Sequence, residues 1–254
     1  MVIAAVEFIA PETRSRGQGS AKIVDLQIPT FDNQHIVGVT GPKSAGKTKV
    51  TAFMAMVGDL HEVPVQILDL DLHIRNILIQ NGTRFRKELL QKFGAEAIDQ
   101  REVDLDHLEK VCSLNFRKLD HLTSLVWRDL VRDLEKKIKP NGLVLLESRV
   151  LLESGFAPWC QNRTIYVDCP ESTLKKRRGL KEEDDDLDVD SSLAIISLFS
   201  PSEKRKLAER LTSNNGQMWI IQNDNQCGTI LLSKVKSLFF ELCEHFSIKP
   251  GGLK

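Results

Sequence analysis

His35-Ile36-Val37-Gly38-Val39-Thr40-Gly41-Pro42-Lys43-Ser44-Ala45-Gly46-Lys47-Thr48 is the stretch whose reading decides the fold. It runs from an apolar, β-branched segment into a glycine, four further residues, and then Gly-Lys-Thr. The spacing is that of a P-loop. Its glycines let the backbone curl so that successive N–H groups face one anion, and the helix that follows turns its positive N-terminus to the same anion. In this pattern Lys47 reaches the β- and γ-phosphates of a nucleoside triphosphate, and the Thr48 hydroxyl ligates the magnesium ion that travels with it. Residues Gly41, Pro42, Lys43, Ser44, Ala45, Gly46, Lys47 and Thr48 therefore form the candidate nucleotide-binding loop. Lys43, inside the loop, has two readings: a second cation for phosphate, or a side chain in solvent.

Outward from the loop, strand-like runs recur at Val63–Leu68, Leu143–Leu146, Thr164–Val167 and Met218–Ile221. Each is short, rich in Val, Ile or Leu, and does not alternate strictly, as strands covered on both faces read. Helical patterns lie between them: Lys49–Val57, Arg84–Phe93 stopped by Gly94, two or more helices in Leu105–Leu134, Ser191–Leu198, Ser202–Leu211 with Ser202 as N-cap, and Leu231–Phe246. Alternating strands and helices imply a three-layer α/β/α fold of the P-loop NTPase class, with a five-stranded parallel core at residues 35–250. Residues 72–138 are the expected acceptor-binding helices and 172–216 the expected lid. Lys181–Asp190 (KEEDDDLDVD) reads as a solvated acidic loop, and residues 1–34, with a strand-like Lys22–Ile28, as an extension forming an edge β-hairpin and a surface for a protein partner. Trp127 and Trp159 read as packing residues, as does the pair Phe239-Phe240 with one ring partly exposed.

Bulk composition narrows the function classes. Lys plus Arg and Asp plus Glu are equal at 35 each in 254 residues, so no net field would hold a nucleic acid. The five cysteines are odd in number and form no CxxC pair, which points to a reducing compartment, with the cytosol as the expected location. The six histidines fall into no metal-binding spacing. No apolar run is long enough for a membrane span. The first residues lack the basic flank of a signal peptide.

The next strand ends Leu68-Asp69-Leu70-Asp71, which puts Asp71 near the carboxyl edge of the sheet. From position alone it is either a base that takes a proton from a substrate hydroxyl or the cap of the following helix. A family resemblance bears on this. The run Ile36 to Thr48 followed by Asp69-x-Asp71-x-x-x-Arg75 resembles dephospho-coenzyme A kinase. Further matches follow in order: Lys92-Phe93-Gly94; Leu105-Asp106; Glu147 through Leu151-Leu152-Glu153-Ser154-Gly155; Tyr166-Val167-Asp168-Cys169-Pro170-Glu171; Ser202-Glu203-Lys204-Arg205; and Asn223. They span about residue 35 to 243.

The resemblance implies transfer of the γ-phosphate of ATP to the ribose 3′-hydroxyl of dephospho-CoA. Asp71 would then be the base, Arg75 and Arg149 would face the acceptor, and Lys47 with magnesium would neutralise the moving charge. Glu147 would stand beside Thr48 at the metal, and Arg177 or Arg178 would close from the lid. The chain also departs from the family. Arg149 stands where the family has proline, and it could bind a substrate phosphate or pair with Glu147 or Glu153. The lid basic residues crowd into Lys175-Lys176-Arg177-Arg178 directly before the acidic run. The glutamine ahead of the family's Glu-Glu-Lys-Arg reads Leu198, and the later arginine reads Leu207. These losses leave two alternatives: a catalytically weakened nucleotide-binding scaffold, or a kinase for another nucleotide or small metabolite.

Overall fold

The computed structural model describes residues 31, 35–80, 82–99, 102–184, 201–213, 216–224 and 228–251. Strand β1 (Ile36–Thr40) leads through the P-loop into α1 (Lys47–Leu60), and β2 (Val65–Asp69) runs directly into α2 (Leu70–Gln80). Helix α3 (Gly82–Phe93) and a short antiparallel hairpin, β3 (Ile98–Asp99) and β4 (Glu102–Val103), precede α4 (Leu105–Leu114) and α5 (Phe116–Lys137). Then come β5 (Leu143–Glu147), β6 (Arg163–Asp168), α6 (Glu171–Asp184), α7 (Pro201–Ser213), β7 (Gln217–Gln222) and α8 (Gly228–His245).

The main sheet has five strands in the order β2-β5-β1-β6-β7, and every pairing within it is parallel. Alternate residues of each strand enter opposite cores. Val37, Val39, Leu143, Leu145, Ile165 and Val167 pack with Val50, Met54 and Val57 of α1 and Val235 and Phe239 of α8. Their neighbours Ile36, Val144, Leu146 and Tyr166 face the side packed with α2, α3, α4 and α5. The three central strands read as apolar runs because both faces are covered, whereas the edge strands β2 and β7 leave Ile67 and Ile220 exposed; each fully buried aliphatic side chain contributes about 1.5–3 kcal/mol. Trp127, Phe156 and Trp159 form one aromatic knot, with the two tryptophan rings 4.6 Å apart. Phe239 is buried and Phe240 half-buried.

From β1 the chain steps to β2 and β5 on one side before crossing to β6 and β7 on the other. The carboxyl edge of β1 is therefore the point where the strand order reverses, and open α/β sheets leave their ligand crevice there.

Two local expectations are corrected. Helix α6 continues through Asp184, so Lys181 to Asp184 are helical and not loop; residues 185–190 lie outside the described residues, as does Ser191–Leu198. Helix α7 opens at Pro201, which places Ser202 inside its first turn and not at the cap; proline at a first helical position loses no hydrogen bond and has the helical φ built in. The hairpin expected in residues 1–34 also lies outside the described residues, apart from Phe31, whose ring packs edge-on against Trp159.

Candidate active site

The loop after β1 owes its course to two glycines. Gly41 and Gly46 have φ of +151° and +92°. A methyl group on Gly41 would lie 2.3 Å from the Val167 carbonyl oxygen, and one on Gly46 2.3 Å from the Asn223 amide nitrogen. Any side chain at either position would push the loop off the sheet. Ser44 shares the left-handed region at φ +65°. Lys43 is exposed, whereas Lys47 is buried, its ammonium donating to the carbonyl oxygens of Gly41 (3.3 Å) and Pro42 (3.1 Å).

Burial lowers the Lys47 pKa from 10.5 to about 8. Lys204 and Arg149 push it the same way, while Glu147 and Asp71 oppose them. All four charges therefore lie within electrostatic reach of one ammonium.

Thr48, at the start of α1, donates its hydroxyl to Glu147 Oε1 at 2.8 Å, and Thr51, one turn later, donates to Oε2 at 3.0 Å. Glu147 ends β5, beside β1, and is buried. Burial raises its pKa; the two threonine hydroxyls and Lys47 pull the other way. A carboxylate and a hydroxyl side by side are hard oxygen donors of the kind magnesium takes.

The two readings of Asp71 separate here. Asp69 caps α2, its Oδ1 accepting the Leu72 N–H at 3.0 Å. The Asp71 carboxylate turns instead to the loop after β5. Oδ1 accepts from the Ser148 hydroxyl at 2.6 Å, and Oδ2 accepts from the Arg149 N–H at 3.0 Å and from Arg149 Nε at 3.3 Å. The partner of Arg149 is thus Asp71, not Glu147 or Glu153 as the sequence alternatives had it. The carboxylate of Glu153 is taken by Lys204, 2.9 Å away and equally buried. Arg75 lies one helical turn beyond Asp71 and is half-buried.

On the opposite flank of β1, Arg177 of α6 reaches the P-loop. One terminal nitrogen donates to the carbonyl oxygens of Ser44 (3.0 Å) and Ala45 (3.2 Å), and the other to the backbone and side-chain oxygens of Asn223. Asn223 also donates to the Ala45 oxygen at 2.7 Å. Arg177 and Asn223 therefore brace the loop from outside through the carbonyls of Ser44 and Ala45, while the Ala45 N–H closes a turn onto the Pro42 carbonyl at 3.1 Å. The Arg178 side chain lies outside the described residues.

The structure brings Lys47, Thr48, Glu147, Asp71 and Arg149 to one sheet edge and sets Arg177 against the same loop. Several partners went unread in the sequence. Thr51 carried a signal, three residues after Thr48 and hence on the same helix face. Ser148, and the contact of Lys204 with the Arg149 carbonyl, carried none, because they join segments far apart in the chain.

A parallel sheet with a glycine-framed anion loop, a buried lysine and two carboxylates at its carboxyl edge defines a P-loop phosphotransferase. The family model described as Dephospho-CoA kinase matches residues 35–219. The chain belongs to the dephospho-CoA kinase family and is an ATP-dependent kinase acting on a small molecule. It is 26% identical over 193 residues to a Dephospho-CoA kinase of Carboxydothermus hydrogenoformans, covering 72% of this chain and 87% of that one. It is also 26% identical to one of Streptococcus pneumoniae, covering 71% and 88%. The crystal structure of TT1252 from Thermus thermophilus shares the fold with a TM-score of 0.56, at 22% identity, over 84% of this chain and 98% of that one. Among the described residues no helix is long and apolar enough to cross a membrane.

Proposed function

We propose that this chain transfers the γ-phosphoryl group of ATP to the ribose 3′-hydroxyl of dephospho-CoA. The observation that carries this reading is Asp71: its carboxylate stands at the carboxyl edge of the sheet, close enough to Lys47 to act on its titration. The acceptor oxygen attacks the γ-phosphorus, the bond to the β-phosphate oxygen breaks, ADP leaves, and the hydroxyl proton passes to Asp71. Ser148 and the Arg149 N–H aim the carboxylate. The Lys47 ammonium meets the β- and γ-oxygens, and backbone N–H groups at the end of the loop and the start of α1 hold the rest of the phosphate chain. Magnesium, held by Thr48 with Glu147 behind it, supplies neutralisation of phosphate charge when bound. Arg177 fixes the loop and adds a stationary positive charge beside it. Arg149 and Arg75, flanking Asp71, receive the acceptor's own anionic groups.

Coupled ADP release with ATP, magnesium and dephospho-CoA tests this against Asp71→Asn. A general base supplies roughly 10²–10⁴ in rate, so the variant should lose at least about a hundredfold in kcat. A second reading, another anionic acceptor, draws on Arg149, a guanidinium beside the base. Turnover with a different nucleoside phosphate and none with dephospho-CoA would favour it. No acceptor-dependent turnover alongside measurable ATP binding would leave a nucleotide-binding scaffold.

A further inference from the structure

The Asp71 carboxylate is held by the two residues Ser148 and Arg149, and the peptide that carries them has a second anchor. The carbonyl oxygen of Arg149 accepts a hydrogen bond from Lys204 Nζ. Lys204 belongs to α7, and its ammonium also sits 2.9 Å from Glu153 Oε1. Both side chains are essentially sealed from solvent, at 1% and 0% exposure. Helix α7 is itself bolted to the sheet: the Tyr166 hydroxyl donates to the Pro201 carbonyl at 3.1 Å, and Arg205 pairs with Asp168 at 2.8 Å.

A buried ion pair is seldom a net stabiliser, since an apolar pair of like volume serves as well or better. Stability alone does not call for a lysine here. A lysine adds donors that an apolar residue lacks, and one of them is spent on the Arg149 peptide. We infer that Lys204 is a positioning residue for Asp71: by fixing the Arg149 carbonyl it fixes the plane of the Arg149–Val150 peptide, whose N–H donates to Ser148 Oγ at 3.1 Å, and through that hydroxyl it sets the direction of the carboxylate. Glu153 holds the ammonium in place. The inference rests on the kinase reading for its kinetic consequence and on geometry alone for its structural one.

The test compares the parent enzyme with the apolar pair Lys204→Met/Glu153→Leu and with Lys204→Arg. The apolar pair should melt within a few degrees of the parent, because no unpaired charge is left behind. Its kcat should nonetheless fall about 10–100-fold, the scale of an ångström-sized misplacement, with KM for ATP unchanged. Lys204→Arg, which keeps a charged donor, should recover most of kcat. In a crystal structure of the apolar pair, the Ser148 Oγ to Asp71 Oδ1 contact should open beyond hydrogen-bond length. If the apolar pair does not fold, Lys204→Gln/Glu153→Gln, with a reach one bond shorter, carries the same expectations. An unchanged kcat, or an intact Ser148–Asp71 contact in the crystal, overturns the inference. Should the parent itself show no acceptor-dependent turnover, the kinase reading fails. The crystallographic contact then decides alone: an opened contact supports the positioning role and an intact one refutes it.

Discussion

The two flanks of β1 carry opposite chemistry. On the β5–β2 side stand two carboxylates, Glu147 held by hydroxyls and Asp71 held by a hydroxyl, an N–H and a guanidinium. On the β6–β7 side stands Arg177, seated with Asn223 against the outer carbonyls of the P-loop. Lys47 lies between, buried, with its charge disfavoured by desolvation. A phosphoryl group crossing such a cleft meets positive charge on one side. The other side offers a proton acceptor and a place for a hard cation. The difference shows how a chain with no net charge handles a polyanion: the fold separates the signs locally, where low dielectric makes the separation count.

Removing the guanidinium flank is the largest perturbation. Arg177→Ala takes away a fixed charge and the brace on Ser44 and Ala45 together. A loss of about 10³-fold in kcat/KM is expected, the lower end of what an arginine beside a transferring phosphoryl group supplies. Steady-state kinetics in ATP would check it. An effect under tenfold would mean that Asn223 alone holds the loop.

On the carboxylate flank, Glu147→Gln keeps the size and loses the charge. Groups behind a metal ligand are worth about 10–100-fold in metal affinity, so the magnesium dependence of turnover should shift to higher concentration by that factor. Turnover at saturating magnesium should recover in large part. A variant that never recovers would assign Glu147 a direct part in the chemistry.

The smallest effect belongs to the lysine between them. Its pKa of about 8 lies below the ordinary lysine value of 10.5, so the fold disfavours the charged form. Below about pH 8 the ammonium is present in the nucleotide-free protein and ATP binding needs no proton. Above it, binding must take up a proton, and affinity should fall by up to about tenfold per pH unit. Stability runs the other way. Between about pH 8 and 10.5 the unfolded chain binds more protons at this position, so the Lys47 contribution to stability rises with pH there. Calorimetric titration of ATP across pH 7–9.5 with Lys47→Met as reference would check the sign. An affinity independent of pH would show that Lys47 does not meet the phosphates.

Much of this site can be read without coordinates. The P-loop is contiguous, so glycine spacing, strand and helix are all visible in one short run. The three central strands declare themselves because burial on both faces leaves apolar runs, and the edge strands β2 and β7 because each keeps a short Val/Ile/Leu- or Ile-rich stretch. Local signals failed where tertiary contact decides. Ser202 looks like a cap, yet Pro201 already supplies the helical φ. Asp71 looks like a cap, yet Asp69 does that work, and Asp71 is drawn to a loop seventy-seven residues along the chain. Arg149 has two acidic residues close in sequence and pairs with neither, because Glu147 is already satisfied by two threonines and Glu153 is taken by Lys204.

By itself the sequence determined the parallel sheet and the phosphate loop, since each is encoded by residues adjacent in the chain or repeated at a fixed period. Only the tertiary structure decided which acid caps the helix and which turns to the loop after β5, which cation it meets and what holds that pair in register. Those choices are made by segments brought together at the carboxyl edge of the sheet. There a buried charge must find a partner, and which partner it finds depends on distance in space and not along the chain.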